Sequence, residues 1–207
     1  RGKQAIERHF DKSYELEEEL EADRKPDRLD RVQDIADLAD IHYVRQKERE
    51  GLGDAVLYAR KHVGDEPFAL LLGDTIIENE TPCTESLVAA AEAHGSSVLS
   101  LERVPWEDVP SYGVADVDEA ETSAERFQVN DFVKKPPQEA PSKLAITGRY
   151  ILTSEIFDIL ETTEKGVGGE LQLTDAIRKL DQVRRVEFHG DLYDIGNTPS
   201  WLQANLK

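Results

Sequence analysis

Two aspartates occupy positions where a chain could hold an ion. Asp74 closes Pro67-Phe-Ala-Leu-Leu-Leu-Gly-Asp74, an unbroken apolar run ended by a turn glycine, and Asp194 stands in Tyr193-Asp-Ile-Gly196 after a second short apolar stretch. Open α/β sheets collect ligands beyond the carboxyl ends of their strands. Mg²⁺ commonly takes one or two carboxylates there and leaves its other positions to water and phosphate. Read alone, each residue is more simply a turn aspartate beside glycine. The stretch Gln46-Lys-Glu-Arg-Glu-Gly-Leu-Gly-Asp-Ala-Val56 offers different chemistry. Gly51 and Gly53 would let backbone approach a ligand closely where a helix begins. The Gln46 amide, both donor and acceptor, suits the edge of a pyrimidine base. By itself the stretch is equally an ordinary glycine-containing connection. Lys134-Lys135-Pro136 would set an ammonium against phosphate or form a solvated basic pair. In Gly168-Gly169-Glu170-Leu-Gln172-Leu-Thr174-Asp175, Glu170 would face a ligand or solvent, and Thr174 would cap a helix. His9, His42, His62, His94 and His189 have no ligand spacing.

The elements that must position these residues follow from periodicity. Residues 3–21 read as helix, with a break near Asp11 to Ser13; Pro26 opens a second helix, and Ile41 to Val44 reads as a strand. Helix and strand then alternate: helix from Leu52 to Val63, a strand from Phe68 to Leu72 buried on both faces, helix from Glu85 to His94, and a strand from Ser97 to Leu101. Such alternation predicts βαβ units and a mostly parallel sheet. Val114 to Asp118, Phe127 to Val133 and Leu144 to Leu152 read as strands without helices between them, a small antiparallel excursion. Helices from Ser154 and Leu173, strands near Arg185 and Leu192, and a closing helix from Pro199 complete the pattern. No repeat or linker divides the chain, so residues 1–207 read as a single domain.

Composition narrows the partners. The 207 residues carry 43 Asp and Glu against 25 Lys and Arg, a net charge of -18. That field repels nucleic acid and anionic membranes. With 39% hydrophobic residues the chain folds, so the acid lies on its surface, as a halophilic source would explain. Cys83 is the only cysteine, which excludes an internal disulfide and a cysteine-based zinc site. The apolar runs are too short for a membrane span, and no signal peptide is visible, which points to the cytoplasm.

In order and spacing, the segments Arg1-Gly-Lys-Gln-Ala-Ile6, Tyr43-Val-Arg-Gln-Lys47 with Gly51-Leu-Gly53, Leu71-Leu-Gly-Asp-Thr-Ile-Ile77, Ser111-Tyr-Gly-Val114, Leu144-Ala-Ile-Thr-Gly-Arg-Tyr150, Gly169-Glu-Leu-Gln-Leu-Thr-Asp-Ala176 and Tyr193-Asp-Ile-Gly196 resemble the bacterial-type UTP–glucose-1-phosphate uridylyltransferase family of sugar nucleotidyltransferases. The resemblance implies a Rossmann-like α/β fold, a homo-oligomer, and Mg²⁺-dependent formation of UDP-glucose and pyrophosphate from UTP and glucose 1-phosphate. It makes Asp74 and Asp194 the metal ligands and gives Gln46, Gly51 and Gly53 the nucleotide. Lys135 would contact phosphate, and Gly113, Lys134, Thr147 and Glu170 would line the sugar site.

Three departures qualify it. Val133-Lys134-Lys135-Pro136 stands where the family usually has Val-Glu-Lys-Pro, so a donor replaces a sugar-binding acceptor. Asp54 replaces a usual His. The family's first strand and its Gly-x-Gly-Thr-Arg loop have no counterpart, and the sequence contains no methionine. The chain therefore reads as N-terminally truncated, with weak or no turnover expected. A sister enzyme using dTTP or another sugar phosphate, and a non-catalytic sugar-nucleotide-binding subunit, are the alternatives.

Overall fold

The computed structural model describes residues 4–116, 131–134, 140–196 and 198–206, which group into two compact units, 1–45 and 46–207. The first unit holds helices α1 (Gln4–Phe10), α2 (Tyr14–Ala22) and α3 (Pro26–Ala36). The expected helical stretch does divide at residues 11–13. Pro26 occupies the first turn of α3, where its missing N–H costs no hydrogen bond. Leu20 is buried, and Gln33 Nε2 donates to the mostly buried Glu17 carboxylate at 3.0 Å.

The strand expected over Ile41 to Val44 does not form. Ile41, Tyr43 and Val44 stay exposed, and no described strand of their unit pairs with them. Alternating apolar residues favour a strand only when a ladder satisfies its N–H and C=O groups.

Among the described residues of the second unit, helices α4 (Leu52–Leu57), α5 (Arg60–Val63), α6 (Cys83–His94), α7 (Glu155–Thr162), α8 (Leu173–Ile177) and α9 (Thr198–Asn205) accompany eight strands. The main sheet contains β1 (Phe68–Leu71), β3 (Ser97–Arg103), β4 (Gly113–Asp116), β5 (Asp131–Lys134), β6 (Leu144–Leu152) and β7 (Val183–Glu187), in the order β5-β4-β6-β3-β7 with β1 also on β6. Strands β2 (Thr75–Glu78) and β8 (Asp191–Asp194) form a separate antiparallel pair.

Strands β1, β3, β4 and β7 all run one way, the predicted mostly parallel arrangement. Among them only β3 and β7 are hydrogen-bonded neighbours, because the oppositely directed β6 lies between β3 and the pair β1 and β4. Its nine residues give β6 the length to pair with β4 at its start and β1 at its end.

Helices cover both faces of β3 and β6. On one face α4, α7 and α8 bring Val56, Phe157, Leu160 and Ile177 against Leu99, Leu101 and Leu152. On the other, Cys83 and Leu87 of α6 meet Val98, Ile151 and Phe188. Each large apolar side chain buried here contributes about 2 kcal/mol. The strand buried on both faces is therefore β3, whose residues 97–101 are all inaccessible. The sequence assigned that role to β1, yet Ala69 and Leu71 are exposed while Phe68 and Leu70 pack inward. Strand β1 pairs with β6 alone among the described strands, an edge position that gives its side chains neighbours on one side only.

Candidate active site

Several of the residues that could act on a ligand line a cavity of about 330 Å³ in the second unit, whereas Gln46, Gly51 and Gly53 are not among its lining residues. Its walls come from the α4 start (Leu52), the turn after β1 (Leu72, Asp74, Thr75), the entry to β4 (Tyr112, Gly113), the middle of β6 (Ile146 to Gly148) and residues 170–174. Asp194 completes one end.

The β2–β8 pair explains why two acids 120 positions apart in the chain meet. Thr75 stands in register with Asp194, and Ile195 N–H donates to the Asp74 carbonyl at 2.8 Å. Both carboxylates converge on Gly196. A Cβ placed there would lie 2.9 Å from Asp194 Oδ1 and 4.0 Å from Asp74 Oδ2. Gly196 N–H already donates to Asp194 Oδ1 at 3.0 Å. The Asp74 carboxylate is exposed and makes no hydrogen bond or ion pair with any described residue. Two hard oxygen donors facing one glycine, with open space beside them, fit a small divalent cation that takes its remaining ligands from a phosphate. No larger cluster of metal-ligating side chains occurs among the described residues.

A bulge in β6 supplies the next wall. Leu99 pairs with Tyr150 but Leu101 with Ile146, so Thr147, Gly148 and Arg149 stand opposite the single Ser100. Gly148 adopts φ +74°, a region costly for other residues, and a Cβ there would stand 3.1 Å from the Leu72 side chain. Bulges of this kind re-aim side chains beside functional sites. Here the bulge sends Arg149 across the turn after β1. Arg149 Nη1 donates to the carbonyls of Leu72 (2.9 Å) and Gly148 (3.3 Å), and Nη2 donates to the Thr75 carbonyl. The guanidinium thus straps the turn that carries Asp74. Burial lowers its pKa, while the neighbouring Cys83 and Asp74 act in the opposite direction. Nothing in the sequence pattern marked Arg149, because a lone arginine in a strand is usually a surface residue.

At the other end, the glycine loop packs against residues 170–171. Gly53 N–H donates to the Leu171 carbonyl at 2.9 Å, and Leu171 N–H donates to the Glu50 carbonyl at 2.6 Å. A Cβ on Gly51 would stand 2.6 Å from Leu171 O, and one on Gly53 would stand 2.8 Å from it. Gly51 also has φ +105°. Gln46, half-buried beside this loop, donates from Nε2 to Gly51 O at 3.3 Å and makes a short hydrogen bond to Asp54 Oδ2.

The remaining expected residues divide. Gly113 lines the cavity, and Lys134 stands directly opposite it in the β4–β5 register. Lys135 lies outside the described residues. Glu170 lines the cavity and accepts from Gln172 Nε2 at 3.1 Å. Thr147 is a wall residue too, but its hydroxyl proton is committed to the Ser100 carbonyl at 3.2 Å. A ligand can use Thr147 only as an acceptor.

Tyr112 and Gln172 are wall residues that sequence reasoning did not single out. Burial pushes the Tyr112 phenol pKa up, and Asp194, Glu102 and Asp108 add to the effect. Buried Tyr150 is shifted the same way by burial and by Asp74. Both phenols therefore stay protonated and can donate.

A model of the Nucleotidyl transferase family matches residues 4–207. The UTP–glucose-1-phosphate uridylyltransferase of Bacillus subtilis (strain 168) is 47% identical over 211 residues, spanning 100% of this chain and 72% of that protein. The enzyme of the same name from Staphylococcus epidermidis is 48% identical over 209 residues, 99% of this chain and 72% of its own length. Among solved structures, an apo UDP-glucose pyrophosphorylase superimposes with a TM-score of 0.87 at 34% identity, covering 100% of this chain and 77% of that one. A UDP-glucose pyrophosphorylase complexed with UDP-glucose gives 0.83 at 33% identity, covering 100% and 76%.

Proposed function

The chain belongs to the UTP–glucose-1-phosphate uridylyltransferase family of nucleotidyl transferases, and on that footing we propose that it joins UTP and glucose 1-phosphate into UDP-glucose and pyrophosphate. The observation that carries this reading is the convergence of Asp74 and Asp194 on Gly196 at one end of the cavity. In such a reaction a sugar-phosphate oxygen attacks the α-phosphorus in line, and pyrophosphate leaves. The protein's share is to position two anions and offset their repulsion.

Asp74 and Asp194 would hold Mg²⁺, which when bound neutralises phosphate charge at the reacting centre. The Arg149 strap keeps the Asp74 turn in place before any ligand arrives. Gln46 and Gly51 face the uracil, with Gly53 fixing the loop. Gly113, Glu170 and Thr147 line the sugar, the last as acceptor alone. Lys135 contacts phosphate. Lys134, where the family pattern has a glutamate, weights the sugar site toward donors and leaves a different sugar 1-phosphate as the second reading.

The direct test supplies UDP-glucose, pyrophosphate and Mg²⁺ and follows UTP by phosphorus NMR, alongside calorimetric titration of UDP-glucose. Binding of UDP-glucose, with at most weak UTP formation that stops with chelator, is expected. Neither turnover nor binding of any nucleoside-diphosphate sugar would refute the assignment.

No helix among the described residues is long and apolar enough to cross a membrane, and we read the protein as a cytoplasmic homo-oligomer, to be checked by sedimentation. Its excess of 43 acids over 25 bases suits a halophilic source. Equal melting midpoints at low and molar salt would count against that.

A further inference from the structure

We propose that Asp54 sets which end of the Gln46 amide faces the nucleotide, and so makes this site select a base with an imino N–H. The inference rests on the reading above in which Gln46 meets the base, and deepens it.

The two groups beside Gln46 leave its amide one orientation. An ionised carboxylate and a main-chain carbonyl both lack hydrogens, so only the NH₂ end can face Asp54 Oδ2 and Gly51 O. Both amide protons are thereby committed, and Oε1 is left as the acceptor of the group. No described residue donates to Oε1.

The main chain on both sides is held. Gly51 O also accepts from Ala55 N–H at 3.2 Å, and the loop is pinned to Leu171. Asp54 lies in the first turn of α4, whose next-turn residue Val56 is buried. Lys165, paired with Glu50 at 2.7 Å, also feels the charges of Asp54 and Glu48.

A fixed amide oxygen is an acceptor that cannot donate. It fits the N3–H of uracil or thymine, flanked by that ring's two carbonyls. Cytosine offers a lone pair at the same ring position, which would leave two acceptors face to face. Sites built for one hydrogen-bond pattern discriminate strongly against an analogue that cannot supply it. Asp54 acts through Gln46 and touches no ligand, so it is a positioning residue.

The experiment measures binding of UDP-glucose, dTDP-glucose and CDP-glucose to the full chain and to two variants, with melting midpoints recorded for each. The wild-type chain should prefer UDP-glucose over CDP-glucose by at least about 100-fold. Asp54→Asn is nearly isosteric, but it can turn either end of its own amide to Gln46 and so frees the glutamine to flip. Its uracil-over-cytosine ratio should fall about tenfold, while the ratio of UDP-glucose to dTDP-glucose stays unchanged. Asp54→Glu keeps an acceptor-only partner and should keep the wild-type ratio. A mere structural role for Asp54 would weaken all three ligands together. If the wild type discriminates and Asp54→Asn does too, this inference fails and the site reading stands. If the wild type binds no ligand, or binds all three alike, both fail.

Discussion

The two ends of the cavity are built on opposite principles. At the glycine-loop end, backbone meets backbone with no slack: a Cβ on Gly51 or Gly53 would collide with Leu171 O. At the two-carboxylate end a Cβ on Gly196 would meet only side chains, Asp194 at 2.9 Å and Asp74 at 4.0 Å, and nothing lies within 4 Å of a Cβ on Gly73. There the β2–β8 pair and the Arg149 side chain hold the main chain, and the Asp74 carboxylate is left exposed. The difference separates two modes of failure. Changes at the loop should act through folding, whereas changes at the acids should act on chemistry while the fold persists.

The largest effect tests the second half of that contrast. Asp74→Asn or Asp194→Asn should cut Mg²⁺-dependent turnover by at least about a hundredfold with an unchanged melting midpoint. Near-normal rates would remove the carboxylate pair from the mechanism. Gly51→Ala addresses the first half. Forced into φ +105° against Leu171 O, it should cost about 2 kcal/mol, measured by urea unfolding. Gly73→Ala should cost almost nothing, and equal losses would erase the contrast. Arg149→Lys keeps the charge but cannot bridge Leu72 and Thr75 in the same way. Its affinity for Mn²⁺, titrated by electron paramagnetic resonance, should fall about tenfold. A fall in melting midpoint with unchanged metal affinity would reduce Arg149 to a structural residue.

The smallest effect concerns Glu102, whose carboxyl pKa is raised by burial and then by Asp191. A raised folded-state pKa means that the ionised form is penalised in the fold, so wild-type stability recovers as pH falls through that value. Glu102→Gln should therefore raise the melting midpoint slightly at neutral pH. The gain should vanish below about pH 4.3, the ordinary glutamate value.

Much of this arrangement was legible in the chain. Short apolar runs bounded by glycine and proline marked nearly every strand and helix of residues 46–207, because burial and turn chemistry act locally. The aspartates, the glycine loop and Glu170 stood out through residue type and spacing. Strand β2 was missed because Thr75 to Glu78 has no length or periodicity of its own; it exists through β8. Ile41 to Val44 failed in the opposite sense, carrying strand propensity without a partner to pair with.

By itself, then, the sequence determined the α/β class, the family and the candidate acids, since these depend on composition, periodicity and ordered motifs. Tertiary structure alone decided that β6 runs between parallel neighbours and that its bulge aims Arg149 across the Asp74 turn. It also decided that Asp54 takes up the amide protons of Gln46. Each of these depends on which groups end up within hydrogen-bond reach of one another, and no local pattern along the chain encodes that distance.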